Sequence, residues 1–259
     1  MEHSAMDLFD LSGRRALVTG ASSGLGANFA KVLASAGAEV ILAARRVDRL
    51  EALADSIAQA GGSAFPVPMD VTDEESILAA FDAIDARGGP ATILVNNSGL
   101  SRESWLTDMT EADWDTVMGT NLKGAWRVAQ EAAKRMIAAE TGGSIINISS
   151  ITAFRPAHML GAYAPSKAAI QHLTHVMALE WARAGIRVNA IAPGYFSTEI
   201  NDEFLASEPG EKMRKRVPMR RFGELEELNG PLLLLASDAG SYMTGSTLVV
   251  DGGHLQSSL

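Results

Sequence analysis

The sequence predicts a doubly wound α/β fold: a mainly parallel sheet of seven strands with helices on both faces. Three observations point there. Short β-branched runs alternate with longer stretches of helical periodicity along the 259 residues. The strand runs are apolar throughout rather than alternating, which suits strands covered on both faces of a parallel sheet. A glycine-rich loop also follows the first strand directly. Strand–helix alternation builds βαβ units with right-handed crossovers. A chain of this length supports one such domain, 1–259, whose core needs no covalent staples.

Taken in order, Arg15–Thr19 (RALVT) is expected as the first strand, followed by a helix from Gly24 to Gly37 with Phe29, Val32 and Leu33 on one face. Glu39–Ala44 (EVILAA) is the second strand, and Val47 to Ala60 a helix in which Leu50, Leu53, Ala54 and Ile57 recur at helical spacing. Ala64–Pro68 is a short third strand. Asp73 to Arg87 is helical, with Thr72 as N-cap and Glu75 three residues on, a capping-box pattern. Thr92–Asn96 is the fourth strand, Ala112 to Ala139 a long helix, and Gly143–Ser149 the fifth strand. Ala164 to Ala182 reads as a helix with Ile170, Leu173, Met177 and Trp181 on one stripe. Ile186–Ile191 is the sixth strand and Thr247–Val250 the seventh. The stretch 193–223 leaves the sixth strand at the carboxyl edge, where such folds bind ligands, and reads as a substrate lid, with a plain surface excursion as the alternative. Near 224–237, Asn229-Gly230-Pro231 interrupts a helical pattern.

Composition excludes several functions. The 22 basic residues against 31 acidic ones give a net charge of −9, a poor match to a phosphate backbone, so no nucleic-acid partner is expected. There is no cysteine, hence no disulfide, thiolate metal site or cysteine nucleophile. No apolar run approaches the ~18 residues of a membrane helix, so no membrane partner is expected. The acidic opening MEHSAMDLFDLSGRR has no secretory pattern, which places the chain in the cytoplasm.

The loop Thr19-Gly20-Ala21-Ser22-Ser23-Gly24-Leu25-Gly26 lies between a strand and a helix. Glycines there permit a tight turn and close backbone approach to a pyrophosphate, and the helix N-terminus offers free N–H groups to it. Tyr163 and Lys167 are four apart and share one helix face. An ammonium beside a phenol favours phenolate and should lower its pKa, fitting the pair for general acid–base work. Pro165 belongs in a first helical turn, so the pair should sit at a positive helix end. Ser149 and Ser150 end the fifth strand, and Asn121 interrupts an apolar helix within GTNLKG, where it either bonds a backbone carbonyl or marks a kink.

These motifs make the chain resemble the short-chain dehydrogenase/reductase family, a Rossmann-fold family, from Gly13 to Gly253. The resemblance rests on TGASSGLG at 19–26, Asp70-Val71, Asn96-Asn97-Ser98-Gly99, Ser150 with Tyr163-x-x-x-Lys167, and Pro193-Gly194. It implies an NAD(P)-dependent oxidoreductase that moves a hydride between a nicotinamide and a carbonyl or secondary alcohol. In that reading Tyr163 protonates the developing alkoxide, and Ser150, 13 positions earlier, hydrogen-bonds the same oxygen. Lys167 holds the nicotinamide ribose, and Asn121 holds a water near Lys167, completing an Asn121–Ser150–Tyr163–Lys167 tetrad. The cofactor is implied to meet Gly20, Ser22, Ser23, Gly24, Leu25 and Gly26 through the glycine loop. Asp70 and Val71 would lie near the adenine, with Asn97, Ser98 and Gly99 beside them. Pro193, Gly194, Phe196 and Thr198 would lie by the carboxamide.

The second strand ends without an acid, and Arg45-Arg46 follow, where guanidinium forks can take a 2′-phosphate; NADP is therefore favoured over NAD. An apolar substrate pocket is expected from Leu100, Trp105, Phe154, His158, Met159, Leu160, Tyr195, Phe196 and Phe204. The basic residues Lys212, Arg214, Lys215, Arg216, Arg220 and Arg221 read either as a solvated face of the lid or as attraction for an anionic substrate. By the same resemblance, the helices 112–139 and 164–182 pair across subunits in a homotetramer. Two other classes compete: a non-catalytic dinucleotide-binding regulator, which would need neither Tyr163 nor Lys167, and an isomerase or dehydratase, which would show no net change in cofactor absorbance.

Overall fold

The computed structural model describes residues 5–197 and 207–257 of the 259. The strands are β1 (Arg15–Thr19), β2 (Glu39–Ala44), β3 (Ser63–Pro68), β4 (Ile93–Asn96), β5 (Gly143–Ile148), β6 (Ile186–Pro193) and β7 (Thr247–Val250). They form one seven-stranded sheet in the order β3-β2-β1-β4-β5-β6-β7. Every neighbouring pair is parallel. The order reverses between β1 and β4, which opens a crevice at the carboxyl ends of these two strands.

Helices α1 (Gly24–Ser35), α2 (Val47–Gln59), α3 (Glu74–Ala86), α4 (Glu111–Met118), α5 (Ala125–Ala138), α6 (Tyr163–Trp181), α7 (Glu208–Arg214) and α8 (Asn229–Ala236) accompany the sheet. Alternate residues of each strand feed opposite cores, which is why both sets had to be apolar. In β1, Ala16 and Val18 pack with Phe29, Leu33, Leu50 and Leu232 on one side. Leu17 packs with Phe81, Ile84, Met136 and Met177 on the other. One polar thread crosses the apolar centre: Asn96 Nδ2 donates to Asn147 Oδ1 (3.0 Å), and Asn147 Nδ2 to Thr174 Oγ1 (2.9 Å), tying β4, β5 and α6 together.

Several local expectations shift. The N-cap before α3 is Asp73, whose carboxylate accepts from Glu75 N–H (3.1 Å). Thr72 instead turns its hydroxyl back to Asp70 Oδ1 (2.7 Å), so the capping box is absent there. The expected helix 112–139 is divided into α4 and α5 by a wider π-helical turn at Gly119–Gly124, and Asn121 sits inside it. Such turns cluster at functional sites. Pro231 lies in the first turn of α8, where a missing N–H costs no helical bond, after a short tight turn over Leu225–Leu228. Strand β6 runs two residues past its expected end, to Pro193, and carries the chain directly to the cleft. Among the described residues, no helix is long and apolar enough to cross a membrane.

Candidate active site

A cleft of about 1080 Å³ follows the carboxyl edge of the sheet, from the glycine loop past β2 and β4 to the start of α6 and the chain after β6. Gly20, Ser22, Ser23, Gly24, Leu25, Arg45, Arg46, Asp70, Val71, Asn97, Ser98, Gly99, Ser150, Tyr163, Lys167, Pro193, Gly194 and Phe196 all line it. Gly26 and Asn121 do not: both lie one layer behind the wall. Thr198 and Phe204 lie outside the described residues.

The glycine loop is shaped by its neighbours. Gly20 and Gly24 hold positive φ (66° and 54°), a conformation L side chains rarely adopt. A Cβ on Gly26 would run into the Gly20 carbonyl oxygen and come within 2.6 Å of Asn97 Nδ2. Gly26 therefore brings the first turn of α1 against the loop rather than facing the cleft. Thr19 Oγ1 accepts from the N–H groups of Asn97 (3.0 Å) and Ser98 (3.1 Å), and Asn97 Nδ2 donates to Thr19 O (3.0 Å), so β1 and β4 are laced at the crevice. Ser23, the N-cap of α1, makes no side-chain cap, leaving first-turn N–H groups for an anion.

At the tip of β2, Arg46 Nη2 donates to Ser22 Oγ (2.8 Å) and Ser23 Oγ (3.2 Å). Arg45 extends into solvent, 3.8 Å from Asp70 Oδ2. Burial pushes the Asp70 carboxyl upward, but hydrogen bonds from Thr72 and the Arg45 charge outweigh it, so its pKa falls below the usual value. A cationic corner thus adjoins the anion-ready helix end, and the pair fits the phosphates of a dinucleotide.

Tyr163 begins α6, and Lys167 follows one turn on with Nζ 5.6 Å from the phenol ring centre. Lys167 is buried, and its Nζ donates to Ile148 O (2.8 Å). Burial lowers its pKa to about 8. The expected lowering of the phenol pKa does not hold here: burial raises Tyr163, the hydrogen bond with Ser150 pulls the other way, and the Tyr195 phenol adds to the rise. Desolvation of the phenolate is the largest of these influences, and the Lys167 ammonium is anchored on a backbone carbonyl.

Ser150 Oγ accepts from Thr152 N (3.1 Å) and Thr152 Oγ1 (3.0 Å), which fixes its position over the cleft. Ser149 also lines the cleft, and it donates to Lys167 O (3.0 Å), pinning α6 to the end of β5. Asn121 Oδ1 accepts from Leu100 N (2.8 Å), while its Nδ2 donates to Leu100 O (2.9 Å) and Ser166 Oγ (3.1 Å). Asn121 and Lys167 face each other across Gly99: a Cβ there would stand 3.3 Å from Asn121 Oδ1 and 3.4 Å from Lys167 Nζ.

On the substrate side, Leu100, Leu160, Tyr195 and Phe196 line the cleft. Trp105, Phe154, His158 and Met159 do not; Trp105 and His158 instead pack ring to ring at 5.7 Å. The pocket is thus less apolar than expected, because Ser101, Arg102, Asp115, Thr116 and Thr120 complete its wall. Sequence reasoning missed these five. Only the helix-interrupting Asn121 marks the turn that holds Thr120; Asp115 and Thr116 lie in α4 just before it.

The family model described as enoyl-(acyl carrier protein) reductase matches residues 20–254. Gluconate 5-dehydrogenase of Gluconobacter oxydans is 40% identical over 248 residues, covering 95% of this chain and 96% of that protein. The 3-oxoacyl-[acyl-carrier-protein] reductase of Thermotoga maritima is 37% identical over 243 residues, 94% of this chain and 98% of that one. Among solved structures, a gluconate 5-dehydrogenase from Burkholderia cenocepacia in complex with NADP and tartrate superposes with a TM-score of 0.94 at 39% identity, covering 98% of this chain and all (100%) of that one. A short-chain type dehydrogenase/reductase from Mycobacterium marinum gives 0.92 at 41% identity, covering 97% and 99%. With the order of the sheet, the glycine loop and the tyrosine–lysine turn all in agreement, the chain belongs to the short-chain dehydrogenase/reductase family and is an NAD(P)-dependent oxidoreductase acting between a carbonyl and an alcohol.

Proposed function

We propose that the chain is an NADP-preferring dehydrogenase or ketoreductase acting on a secondary hydroxyl of a polyhydroxylated carboxylic acid. The observation that carries this reading is the half-buried Tyr163 phenol on the wall of a cleft long enough for a dinucleotide, interacting with Ser150 and one helical turn from the buried Lys167.

The nicotinamide supplies and accepts the hydride when bound. The chain's own residues do the rest. Tyr163 gives its phenolic proton to the alkoxide oxygen in reduction and takes it back in oxidation. Its raised pKa keeps that proton in place until charge develops on the substrate. Ser150 donates to the same oxygen, and its fixed hydroxyl costs no reorganisation at that moment. Lys167, held by Ile148 O, holds the ribose, and its pKa of about 8 leaves it able to hand protons on near neutrality. Asn121 shapes the Leu100 backbone beside Lys167 and positions a water there. Gly20, Ser22, Ser23, Gly24 and Leu25 cradle the pyrophosphate, with Gly26 setting their geometry. Asp70, Val71, Asn97, Ser98 and Gly99 bound the adenosine half; Pro193, Gly194 and Phe196 bound the carboxamide. Of the expected lid 193–223, Tyr195 and Phe196 line the substrate end of the cleft, and residues 198–206 lie outside the described residues.

NADP over NAD is supported by the Arg45–Arg46 corner, by the absence of a carboxylate at the end of β2, and by the NADP of the Burkholderia relative. The acid substrate is supported by the gluconate enzymes among the relatives and by the tartrate in that same complex. A homotetramer is supported by an apolar surface depression where Leu122 of the π-helical turn, Trp126 of α5 and Leu173 and Val176 of α6 meet.

Tyr163→Phe is the direct test. Turnover of an aldonate or its keto form, followed by cofactor absorbance, should fall about 10²–10⁴-fold while NADPH binding stays intact. Near-normal turnover removes the mechanism. Equal kcat/KM with NADPH and NADH removes the cofactor preference.

A further inference from the structure

A buried hydroxyl that the mechanism above leaves unused joins two of the residues it employs. Ser166 lies in the first turn of α6, between Tyr163 and Lys167, and is fully buried (0% exposed). Its Oγ donates to Tyr163 O (2.7 Å) and accepts from Asn121 Nδ2 (3.1 Å). A hydroxyl carries one proton. Here that proton goes to the Tyr163 carbonyl, so the Asn121 amide must be the donor on the other side.

The amide has no spare proton either. It also donates to Leu100 O (2.9 Å), and its Oδ1 accepts from Leu100 N (2.8 Å). Hydrogen bonds therefore run without a break from Leu100 on the cleft wall, through Asn121 in the π-helical turn, to Ser166 and the backbone of Tyr163. Removing the Ser166 hydroxyl would leave one N–H of a buried amide without its acceptor, which the amide can relieve only by turning. Tyr163 is the first residue of α6, where a helix frays most readily. A reacting group misplaced by ~1 Å can lose ~10²-fold in rate.

The same construction recurs two turns further along α6. Thr174, also 0% exposed, donates to Ile170 O (2.8 Å) and accepts from Asn147 Nδ2 (2.9 Å). There it holds α6 to β5, and none of Asn147, Ile170 and Thr174 lines the cleft. One helix thus carries two hydroxyl bridges of one design, the first on the backbone of the phenol residue and the second remote from it.

We propose that Ser166 is a positioning residue for the proton transfer: its hydroxyl registers the π-helical turn against the first turn of α6 and so holds the Tyr163 phenol to the reacting oxygen. This rests on the role of Tyr163 given above. The test compares wild type, Ser166→Ala, Ser166→Cys (a weak donor and acceptor in place of the hydroxyl), Tyr163→Phe, and Thr174→Val as the remote control. Each is assayed by cofactor absorbance, in a single turnover and at steady state. The substrate is the one wild type uses best from a panel of ketones, keto acids and their alcohols. NADPH binding and thermal unfolding are measured alongside.

In Ser166→Ala the single-turnover rate should fall at least about fivefold, a fraction of what a 1 Å displacement costs. Substrate KM and the NADPH dissociation constant should each stay within about threefold of wild type. Ser166→Cys should fall between Ser166→Ala and wild type. Thr174→Val should lower the unfolding temperature by as much as Ser166→Ala and keep the rate within about twofold. A smaller loss of rate in Ser166→Ala, or an equal loss in Thr174→Val, assigns Ser166 to helix packing alone and overturns the proposal. If Ser166→Ala does not fold, Ser166→Cys decides: a threefold loss of rate with ligand binding kept supports the proposal, and a smaller one overturns it. Near-normal turnover in Tyr163→Phe overturns the role of Tyr163 and the proposal with it. An inactive Tyr163→Phe beside an unimpaired Ser166→Ala overturns the positioning role alone.

Discussion

The two ends of the cleft are built differently. At the cofactor end, the glycine loop, the tip of β2 and the end of β4 are each a short segment leaving its own strand. Their contacts join neighbouring strands, as when Asn97 donates to Thr19 and Gly20. At the substrate end, the wall is gathered from distant parts of the chain: Leu100, Leu160, Tyr195, and behind Tyr195 the residues Phe222 and His254. The first end is backbone fitted to a phosphate, with little freedom in its side chains. The second is side chains on loops, the part of a fold that can change substrate without disturbing the sheet.

The sharpest break of that contrast is Gly26→Ala. A methyl group there meets the backbone carbonyl of Gly20, which cannot move without opening the loop. We expect a loss of about 1–3 kcal/mol in stability, the usual range for overpacking, and a fall in NADPH affinity of over ~100-fold. Thermal unfolding and a fluorescence titration measure the two. Retained NADPH affinity would show that the loop tolerates reshaping and would erase the distinction.

Next in size is Arg46→Ala. Loss of a charged hydrogen-bond donor facing a phosphate costs about 1.5–3 kcal/mol, or ~10–100-fold in the KM for NADPH, and should leave NADH untouched. Equal loss with both cofactors would assign Arg46 to holding Ser22 and Ser23 rather than to reading the 2′ position.

The mildest is Gly223→Ala at the substrate end. Its methyl group would lie 2.7 Å from Phe196 Cδ1, against a side chain rather than the backbone. A severalfold rise in substrate KM with a smaller change in the NADPH dissociation constant would sharpen the contrast. A defect in NADPH binding instead would mean that the two ends are mechanically one.

Much of the cofactor end was legible because each of its signals is local. Gly20 and Gly24 need positive φ wherever the strand-to-helix turn is made, and Tyr163 and Lys167 share a face on any helix. The misreadings arose where a neighbour outside the window decided the outcome. Thr72 lost the N-cap position because Asp70 offered its hydroxyl a carboxylate and Asp73 was one residue nearer α3. The phenol pKa rose because the chain packed around Tyr163 desolvates the phenolate, a quantity no spacing records. Trp105 and His158 found each other rather than the pocket.

By itself, the order of apolar runs and glycines determined the doubly wound sheet and the candidate reaction centre, since periodicity and turn chemistry act within a few residues. Only the tertiary structure decided which of six clustered basic side chains kept an uncommitted charge, since that depends on which acids folding brings within reach. Lys212, Arg214, Lys215 and Arg221 met glutamates, whereas Arg216 met no acid among the described residues.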